Sequence, residues 1–467
     1  MLARCGIGKY VTMQTLRTPG SAGLRHNMPS NTKSVITRFA PSPTGFLHIG
    51  NVRTGLFAYL FARCYGGKFI LRIEDTDKER SKKEYEDDII HSLAWLGISY
   101  DEVYRQSERT DIYKRYLKKM LDEGSAYEAE ENEGGTGKVV RFRNPNTVVA
   151  FHDIIRGDIS VDTTELKDFV IAKDAETPLF HLAVVVDDFE MGITHIIRGE
   201  DHISNTPRQI LIQRAIGAPE PVYAHLPLIL APDRSKLGKR NGALPVHAYE
   251  QEGYLPDALL NFLVLLGWNP GDEREIFTPE ELIKEFDIAK VQKSGAVFNQ
   301  EKLNWINKEH LRKMPAKDLR VLVAEHIGVS DDARIEKIAP IVLDRISKIS
   351  DIEKMAEEGE WDYFFTAPEY DTGKLLWKDS AKEDIANNID SAIKLLQSAD
   401  FSSADTVKKA LWDFAEERGR GAVLWPIRYA LSGRDKSSDP FTIAAIIGKE
   451  EAISRLRIAL SRLRARA

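Results

Sequence analysis

Between residues 35 and 97 the chain alternates twice between a short apolar run and a longer stretch with helical spacing, and nothing else in it restricts the fold as strongly. Residues 35–39 form an apolar run of strand length, with Arg38 inside it and Pro41 just beyond. Pro41-Ser42-Pro43-Thr44-Gly45 suits a turn, since it continues neither a strand nor a helix. From His48 onward, Val52, Leu56, Tyr59, Leu60 and Cys64 recur at helical spacing until Gly66-Gly67 stops the pattern. Residues 69–73 read as the next strand and 81–96 as the next helix, closed by Gly97. Strand, helix, strand, helix within about 60 residues predicts a parallel α/β sheet.

Beyond Gly124 the pattern loosens. Residues 128–137 are acidic and glycine-rich and read as an exposed loop; 139–162 read as short strands around Arg156-Gly157-Asp158, inserted between two halves of a sheet domain. Residues 169–173 and 194–197 restore strands, and Pro207 opens a helix where proline is tolerated. From Pro256 to the end, helical periodicity dominates. At about 150 residues per domain, 467 residues leave room for about three. The longest apolar run, residues 259–268, is interrupted by Asn261 and falls short of the roughly 18–20 residues that span a membrane. Two cysteines, Cys5 and Cys64, exclude a disulfide framework and any multi-thiolate zinc site, and point to a reducing compartment.

Residues 1–33 lack Asp and Glu and carry Arg4, Lys9, Arg17, Arg25 and Lys33, a composition that fits a transit peptide. A disordered tail, or a start placed too early (Met13 and Met28 could each begin the chain), is the reading taken here. The net charge of −6 excludes a globally basic nucleic-acid coat but leaves room for a local patch. The basic stretch from Arg455 to Arg466 reads as a solvated helix face.

Four segments offer chemistry. A strand and a proline turn lead into His48-Ile49-Gly50-Asn51 at a helix start, where free N–H groups and the positive dipole end attract phosphate. The triplet alone reads as readily as a helix cap, and His326-Ile327-Gly328 repeats it without strand or turn, as chance would. Residues 233–242 carry four basic side chains, Arg234, Lys236, Lys239 and Arg240, among two glycines. Such a loop suits a clamp closing on a polyphosphate, or simply a solvated charge run. Arg72-Ile73-Glu74-Asp75-Thr76-Asp77 ends a strand, where ligands of parallel sheets bind. Arg72 and Glu74 share a face there, fit for an ammonium group, a metal or a structural ion pair. Ile196-Ile197-Arg198-Gly199-Glu200-Asp201 repeats that logic, and Arg198 with Arg38 suits a carboxylate.

Taken together in order, these segments resemble the glutamyl-tRNA synthetases. The likeness runs from Arg38-Phe39-Ala40-Pro41-Ser42-Pro43-Thr44-Gly45 through His48-Ile49-Gly50-Asn51 and the Arg72–Asp77 segment. It continues through Val184-Val185-Val186-Asp187-Asp188, Ile197-Arg198-Gly199-Glu200-Asp201-His202, the 236–240 loop, Gly253-Tyr254-Leu255-Pro256 and Phe298-Asn299. It returns at residues 426–433 and Ile447-Gly448-Lys449-Glu450, so it covers about residues 35–467. The Ala40-Pro41-Ser42-Pro43-Thr44 spelling resembles the glutamyl rather than the glutaminyl branch.

The resemblance implies an α/β Rossmann-type class I catalytic domain over 34–315, with an inserted α+β acceptor-stem-binding subdomain at about 107–190 and a stem-contact region at about 231–315. An all-α anticodon-binding domain over 316–467 would follow. It implies ATP-dependent activation of glutamate, then transfer to the terminal 2′-hydroxyl of tRNA(Glu), with tRNA(Gln) a second candidate, in a cytoplasmic monomer. The first step in this family usually requires bound tRNA. By motif, His48, Gly50 and Asn51 would contact ATP, and Lys239, helped by Lys236, would neutralise the leaving pyrophosphate. Arg38 and Arg198 would bind the side-chain carboxylate, and Glu74 the α-ammonium, with Ala40, Ser42 and Phe180 alongside. Magnesium would arrive with ATP, held mainly by phosphates and water. No enzyme nucleophile is needed, because the work is in-line positioning and charge neutralisation.

Three departures from the family pattern stand out. Gly238 and Asn241 replace the usual Ser or Thr and the frequent His, and Gly238 adds backbone entropy that disfavours loop closure. Phe180 stands where many relatives carry Tyr, removing one hydrogen-bond donor from the pocket. No Cys lies between 128 and 137, so the zinc that some relatives hold near Tyr127 is not expected. Gly238 and Asn241 motivate an alternative, a tRNA-binding paralogue with weakened catalysis, which glutamate- and tRNA-dependent ATP–pyrophosphate exchange separates from an active enzyme. A relative that glutamylates a modified tRNA base would lack the helical C-terminal third.

Overall fold

The structure, a computed structural model, describes residues 34–130, 137–174, 176–238, 244–329 and 333–465. The expected tail at 1–33 lies outside them, as do Lys239 and Asn241. The predicted alternation is observed: β1 (Ile36–Phe39), α1 (Ile49–Cys64), β2 (Lys68–Ile73), α2 (Lys83–Trp95) and β3 (Glu102–Arg105). The three strands pair in parallel in the order β1-β2-β3. Gly67 makes the first return possible, since a Cβ there would lie 2.2 Å from the Val35 carbonyl oxygen.

Next come α3 (Thr110–Asp122), β4 (Ala126–Glu130), β5 (Lys138–Phe142), β6 (Val148–Asp153), β7 (Gly157–Asp162), β8 (Phe169–Ala172) and α4 (Phe180–Glu190). The second half of the main sheet follows as β9 (His195–Gly199), α5 (Thr206–Ile216) and β10 (Val222–Leu226). Strands β4, β5 and β8 form a small antiparallel sheet. The β6–β7 hairpin instead extends the main sheet, because β6 lies parallel to β10, which lies parallel to β9. The two halves meet where Thr194 N–H donates to the Ile36 carbonyl (2.9 Å) and Ile36 N–H to Thr194 Oγ1 (2.8 Å). Side by side there, the two sheets run β3-β2-β1 and β9-β10-β6-β7, and the order of connection turns from one side to the other between β1 and β9. In a doubly wound sheet that switch point opens the ligand crevice beyond the strands' carboxyl ends.

Beyond β10 lie β11 (Ile229–Leu230), α6 (Val246–Gln251), α7 (Pro256–Leu265), α8 (Pro279–Glu285), β12 (Ala296–Val297) and α9 (Gln300–Arg312). The remainder is helical: α10 (Ala316–Ile327), α11 (Ile335–Arg345), α12 (Ser350–Glu357), α13 (Lys382–Gln397), α14 (Ala404–Arg418), α15 (Arg420–Ser432), α16 (Pro440–Ile447) and α17 (Lys449–Arg464). Three apolar cores follow this order. One gathers α1, α7 and the strands of the first half-sheet, with Trp268 and Phe277. A second joins the small sheet to α4, α5 and β10, with Phe142 and Tyr223. The third runs from Leu311 to Leu463 around Trp361 and Phe364.

Two local expectations change. Glu128 and Glu130 are not loop residues: β4 carries them opposite Val140 and Lys138, exposed but paired through the backbone with β5. The acidic segment beyond Glu130, through residue 136, lies outside the described residues. Arg455 is not solvated. It is buried on α17, donating to the Tyr363 and Leu431 carbonyls (2.6 and 2.7 Å) and to Glu451 (2.7 Å), whereas Arg457, Arg462 and Arg464 are exposed. The triplet at 326–328 closes α10 rather than opening a helix, with Gly328 at a φ of 77°.

Candidate active site

The phosphate-binding candidate is built from the turn after β1. Glu74 N–H donates to the Pro41 carbonyl (3.0 Å) and Lys82 N–H to the Pro43 carbonyl (3.0 Å), tying that turn to the end of β2. The chain then enters α1 with His48 as N-cap, its Nδ1 accepting from Gly50 N–H at 3.2 Å. The cap reading of His48 is therefore observed, and the same placement puts its ring at the dipole's positive end, where a phosphate would be attracted. With Nδ1 accepting, the ring proton belongs on Nε2. A Cβ on Gly50 would come within 3.1 Å of the ring, so glycine keeps the imidazole in place.

The described ends of the basic loop bracket the same spot. The loop leaves β11 through a Leu230–Lys236 bridge, and its far end returns as Pro245, which bridges His48 while Val246 N–H donates to the Leu47 carbonyl (2.8 Å). Lys236 Nζ pairs with Asp201 at 2.9 Å, just past β9. One carboxylate clamps both arrivals. Asp88, buried on α2, accepts from Leu47 N–H (2.7 Å) through Oδ2 and meets His247 Nδ1 of α6 (2.8 Å) through Oδ1. Two stretches nearly two hundred positions apart thus adjoin at the N-terminus of α1.

The second half of the site lies in the crevice between β1 and β9. Arg38 Nε reaches Asp188 Oδ1 at 3.1 Å, and Arg72 Nη1 reaches the same oxygen at 2.6 Å. Arg72 Nη2 also pairs with Glu74 at 3.1 Å, so the structural ion pair is present at the end of β2. Burial raises the Glu74 carboxyl above the usual carboxylate range, against the pull of Arg72 and Arg38. A cation brought against Glu74 would lower it again.

Arg198 is different. The residue is 6% exposed, and every hydrogen-bond partner found for its guanidinium among the described residues is neutral: His225 Nε2 (3.1 Å), Gln209 Oε1 (2.7 Å) and Thr206 Oγ1 (2.7 Å). Burial, then the like charge of Arg38, pull it down to about 10. A buried cation held only by neutral acceptors is costly unless an anion joins it.

Arg38, Glu74 and Arg198, proposed from sequence, therefore share one buried charge cluster. His48 and Gly50 stand at the neighbouring N-terminus of α1, with Asn51 exposed on its first turn, and Lys236 lies beside Asp201 past β9. Ala40 and Ser42 sit in the turn between the two sides, half-buried and exposed. Phe180 opens α4, 37% exposed, its ring 6.2 Å from that of His202, which senses the charges of Arg198 and Arg38. Sequence reasoning passed over Asp88 and the structural work of Asp187 and Asp188. Asp187 accepts from Arg109, Gln106 and Tyr113. The signal available was a pair of acids closing the apolar run at 184–186.

Residues 34–134 and 129–305 match the model of the tRNA synthetases class I (E and Q), catalytic domain, and 310–460 match that of an anticodon binding domain. The glutamate–tRNA ligase of Aquifex aeolicus (strain VF5) is 41% identical over 475 residues, covering 92% of this chain and 99% of that protein. Glutamate–tRNA ligase 1 of Rubrobacter xylanophilus (strain DSM 9941 / JCM 11954 / NBRC 16129 / PRD-1) is 42% identical over 454 residues, 92% of this chain and 99% of that one. Among solved structures, a glutamate tRNA ligase from Elizabethkingia meningosepticum CCUG26117, in complex with its amino acid, is similar with a TM-score of 0.82 and 34% identity, over 92% of this chain and all of that one.

Proposed function

The chain belongs to the class I tRNA synthetases of the glutamate and glutamine (E and Q) group, and from that premise we propose how its site works. Its activity is glutamate–tRNA ligation. ATP is the energy source, and magnesium enters as part of that substrate, held by phosphates and water. Glutamate's α-carboxylate attacks the α-phosphate of ATP and expels pyrophosphate; the tRNA's terminal 2′-hydroxyl then takes the glutamyl group and releases AMP.

The N-terminus of α1, with His48, Gly50 and Asn51, receives the nucleotide's phosphates. Lys236, with Lys239 from the loop, neutralises the departing pyrophosphate. Arg38 and Arg198 take the substrate's side-chain carboxylate, and Glu74 takes its ammonium group, with Ala40, Ser42 and Phe180 lining the approach. The catalytic body spans 34–315, with the stem-binding insert at about 107–190, and the helical remainder reads the anticodon. The partner is tRNA(Glu), with tRNA(Gln) a second candidate, and the enzyme works as a cytoplasmic monomer. Among the described residues no helix is long and apolar enough to cross a membrane.

One observation carries the substrate assignment: Arg198 is a buried guanidinium whose hydrogen-bond partners among the described residues are all neutral. A carboxylate fills that position, and the amide of glutamine does so without the compensating charge. Arg198→Gln should raise KM for glutamate by at least tenfold, the size of one lost charge-assisted hydrogen bond. tRNA-dependent ATP–pyrophosphate exchange is the readout, and an unchanged KM would remove Arg198 from the pocket.

A further inference from the structure

Behind Arg198 stands a second, wholly buried pair that no part of the reaction above uses. His225, on β10, meets Asp153 Oδ2 through Nδ1 at 2.6 Å, and both side chains are completely buried. Asp153 closes β6, in the hairpin joined to the far side of the sheet, and its carboxylate is fully occupied. It also accepts from the backbone N–H groups of His225 (3.0 Å), Ile155 (3.0 Å) and Arg156 (2.8 Å). On the other face of the ring, Nε2 accepts from Arg198 Nε at 3.1 Å and lies 3.2 Å from Thr206 Oγ1. The ring also stacks on Tyr223, with centroids 6.0 Å apart and planes 9° apart, so its rotation is restricted.

The protonation pattern follows from the partners. A guanidinium only donates, so Nε2 must present its lone pair to Arg198. The ring proton must then sit on Nδ1, where the carboxylate of Asp153 accepts it. Although burial works against it, the bonds from His225 and the Arg156 backbone hold Asp153 below the usual carboxylate range. Burial first, and then the charge of Arg198, keep the His225 imidazole below its ordinary value, despite Asp153. An ionised acid and a neutral ring are the only states that satisfy all three groups.

We propose that Asp153 and His225 are positioning residues for substrate recognition: Asp153 fixes the tautomer of His225, whose Nε2 orients the Arg198 guanidinium so that its remaining N–H groups face the substrate carboxylate. The proposal rests on the reading of Arg198 as a carboxylate ligand. It makes affinity for the amino acid depend on a hairpin on the far side of the sheet.

The test is the KM for glutamate and for ATP in tRNA-dependent ATP–pyrophosphate exchange, with the full-length chain, for Arg198→Gln, His225→Leu, His225→Gln, Asp153→Asn and the Arg198→Gln/His225→Leu double variant. His225→Leu should raise KM for glutamate about tenfold, as one lost charge-assisted hydrogen bond does, and leave KM for ATP within about twofold. His225→Gln, whose amide can accept from Arg198 and donate to Asp153, should restore most of the loss. The double variant should be no worse than Arg198→Gln alone, since the two share one interaction. Equal losses in both KM values, or effects that multiply in the double variant, would overturn the relay. If Arg198→Gln weakens glutamate and His225→Leu does not, the relay alone fails; if Arg198→Gln changes nothing, the underlying assignment fails. Should His225→Leu not fold, the comparison of Asp153→Asn with His225→Gln decides: the relay requires the larger rise in glutamate KM from Asp153→Asn.

Discussion

Phe180 shows how much one atom carries in this pocket. Its ring stands edge-on to His181, with centroids 5.4 Å apart, at the first residue of α4. Its ring has no hydroxyl to donate. Phe180→Tyr should lower KM for glutamate by up to about tenfold, the span of one neutral hydrogen bond. Steady-state aminoacylation reads this directly, and an unmoved KM would place the ring outside the ligand's reach. Arg38, Glu74 and Arg198 were legible in sequence because each ends or follows an apolar strand, where a charged side chain has no reason to be buried except to meet a ligand or a partner. His225 and Asp153 were not legible. They lie 72 positions apart, and nothing local distinguishes a buried histidine that orients an arginine from one that merely fills space.

At the scale of elements, Asp88 is the joint between the two segments proposed to bind phosphate. Its two oxygens hold the entry to α1 and the start of α6, and so fix where the loop's return strand passes His48. Asp88→Ala removes both bonds and leaves the Leu47 N–H buried without an acceptor, a loss of about 1–3 kcal/mol in stability by denaturant titration. KM for ATP should rise while KM for glutamate stays nearly constant, because the arginine cluster lies beyond the turn. Equal changes in both would show that Asp88 supports the fold alone. The run from β1 to α2 could be read from sequence because its elements are consecutive and each carries its own period. The β6–β7 hairpin could not be assigned to the main sheet, since its pairing with β10 depends on contacts some 70 residues away. Residues 128–130 misled for a related reason: acidic, exposed side chains looked like loop, yet their backbone pairs antiparallel with β5.

On the scale of the whole molecule, the first two cores share the main sheet, with Ile70 and Ile196 facing one and Leu71 and Ile197 the other, and the helical core meets the first beside Gly253. Gly253, at a φ of 75°, accepts from Ile349 N–H through its carbonyl (3.0 Å), and a Cβ there would lie 2.7 Å from the Ile349 Cβ. Burial is also what makes the molecule sensitive to acid. His181, His195, His202 and His310 are each pushed down to about 4 from an ordinary 6.5, chiefly by burial. Between those values the unfolded chain binds protons that the folded chain refuses. Stability is therefore full above about pH 6.5 and falls as the pH drops toward 4, by at most about 1.4 kcal/mol per pH unit for each histidine. Denaturant titrations at pH 7, 6 and 5 should show that decline, and a flat profile would mean these rings take up protons in the folded state. The central claim is that the α1 N-terminus and the lysine loop enclose one nucleotide. It is tested most directly by a crystal structure of the chain with a non-hydrolysable ATP analogue and magnesium. The account predicts the triphosphate lying between His48 and Lys236, with the 236–245 loop closed over it; a nucleotide seated in another cleft, or touching one of these segments and not the other, would contradict it.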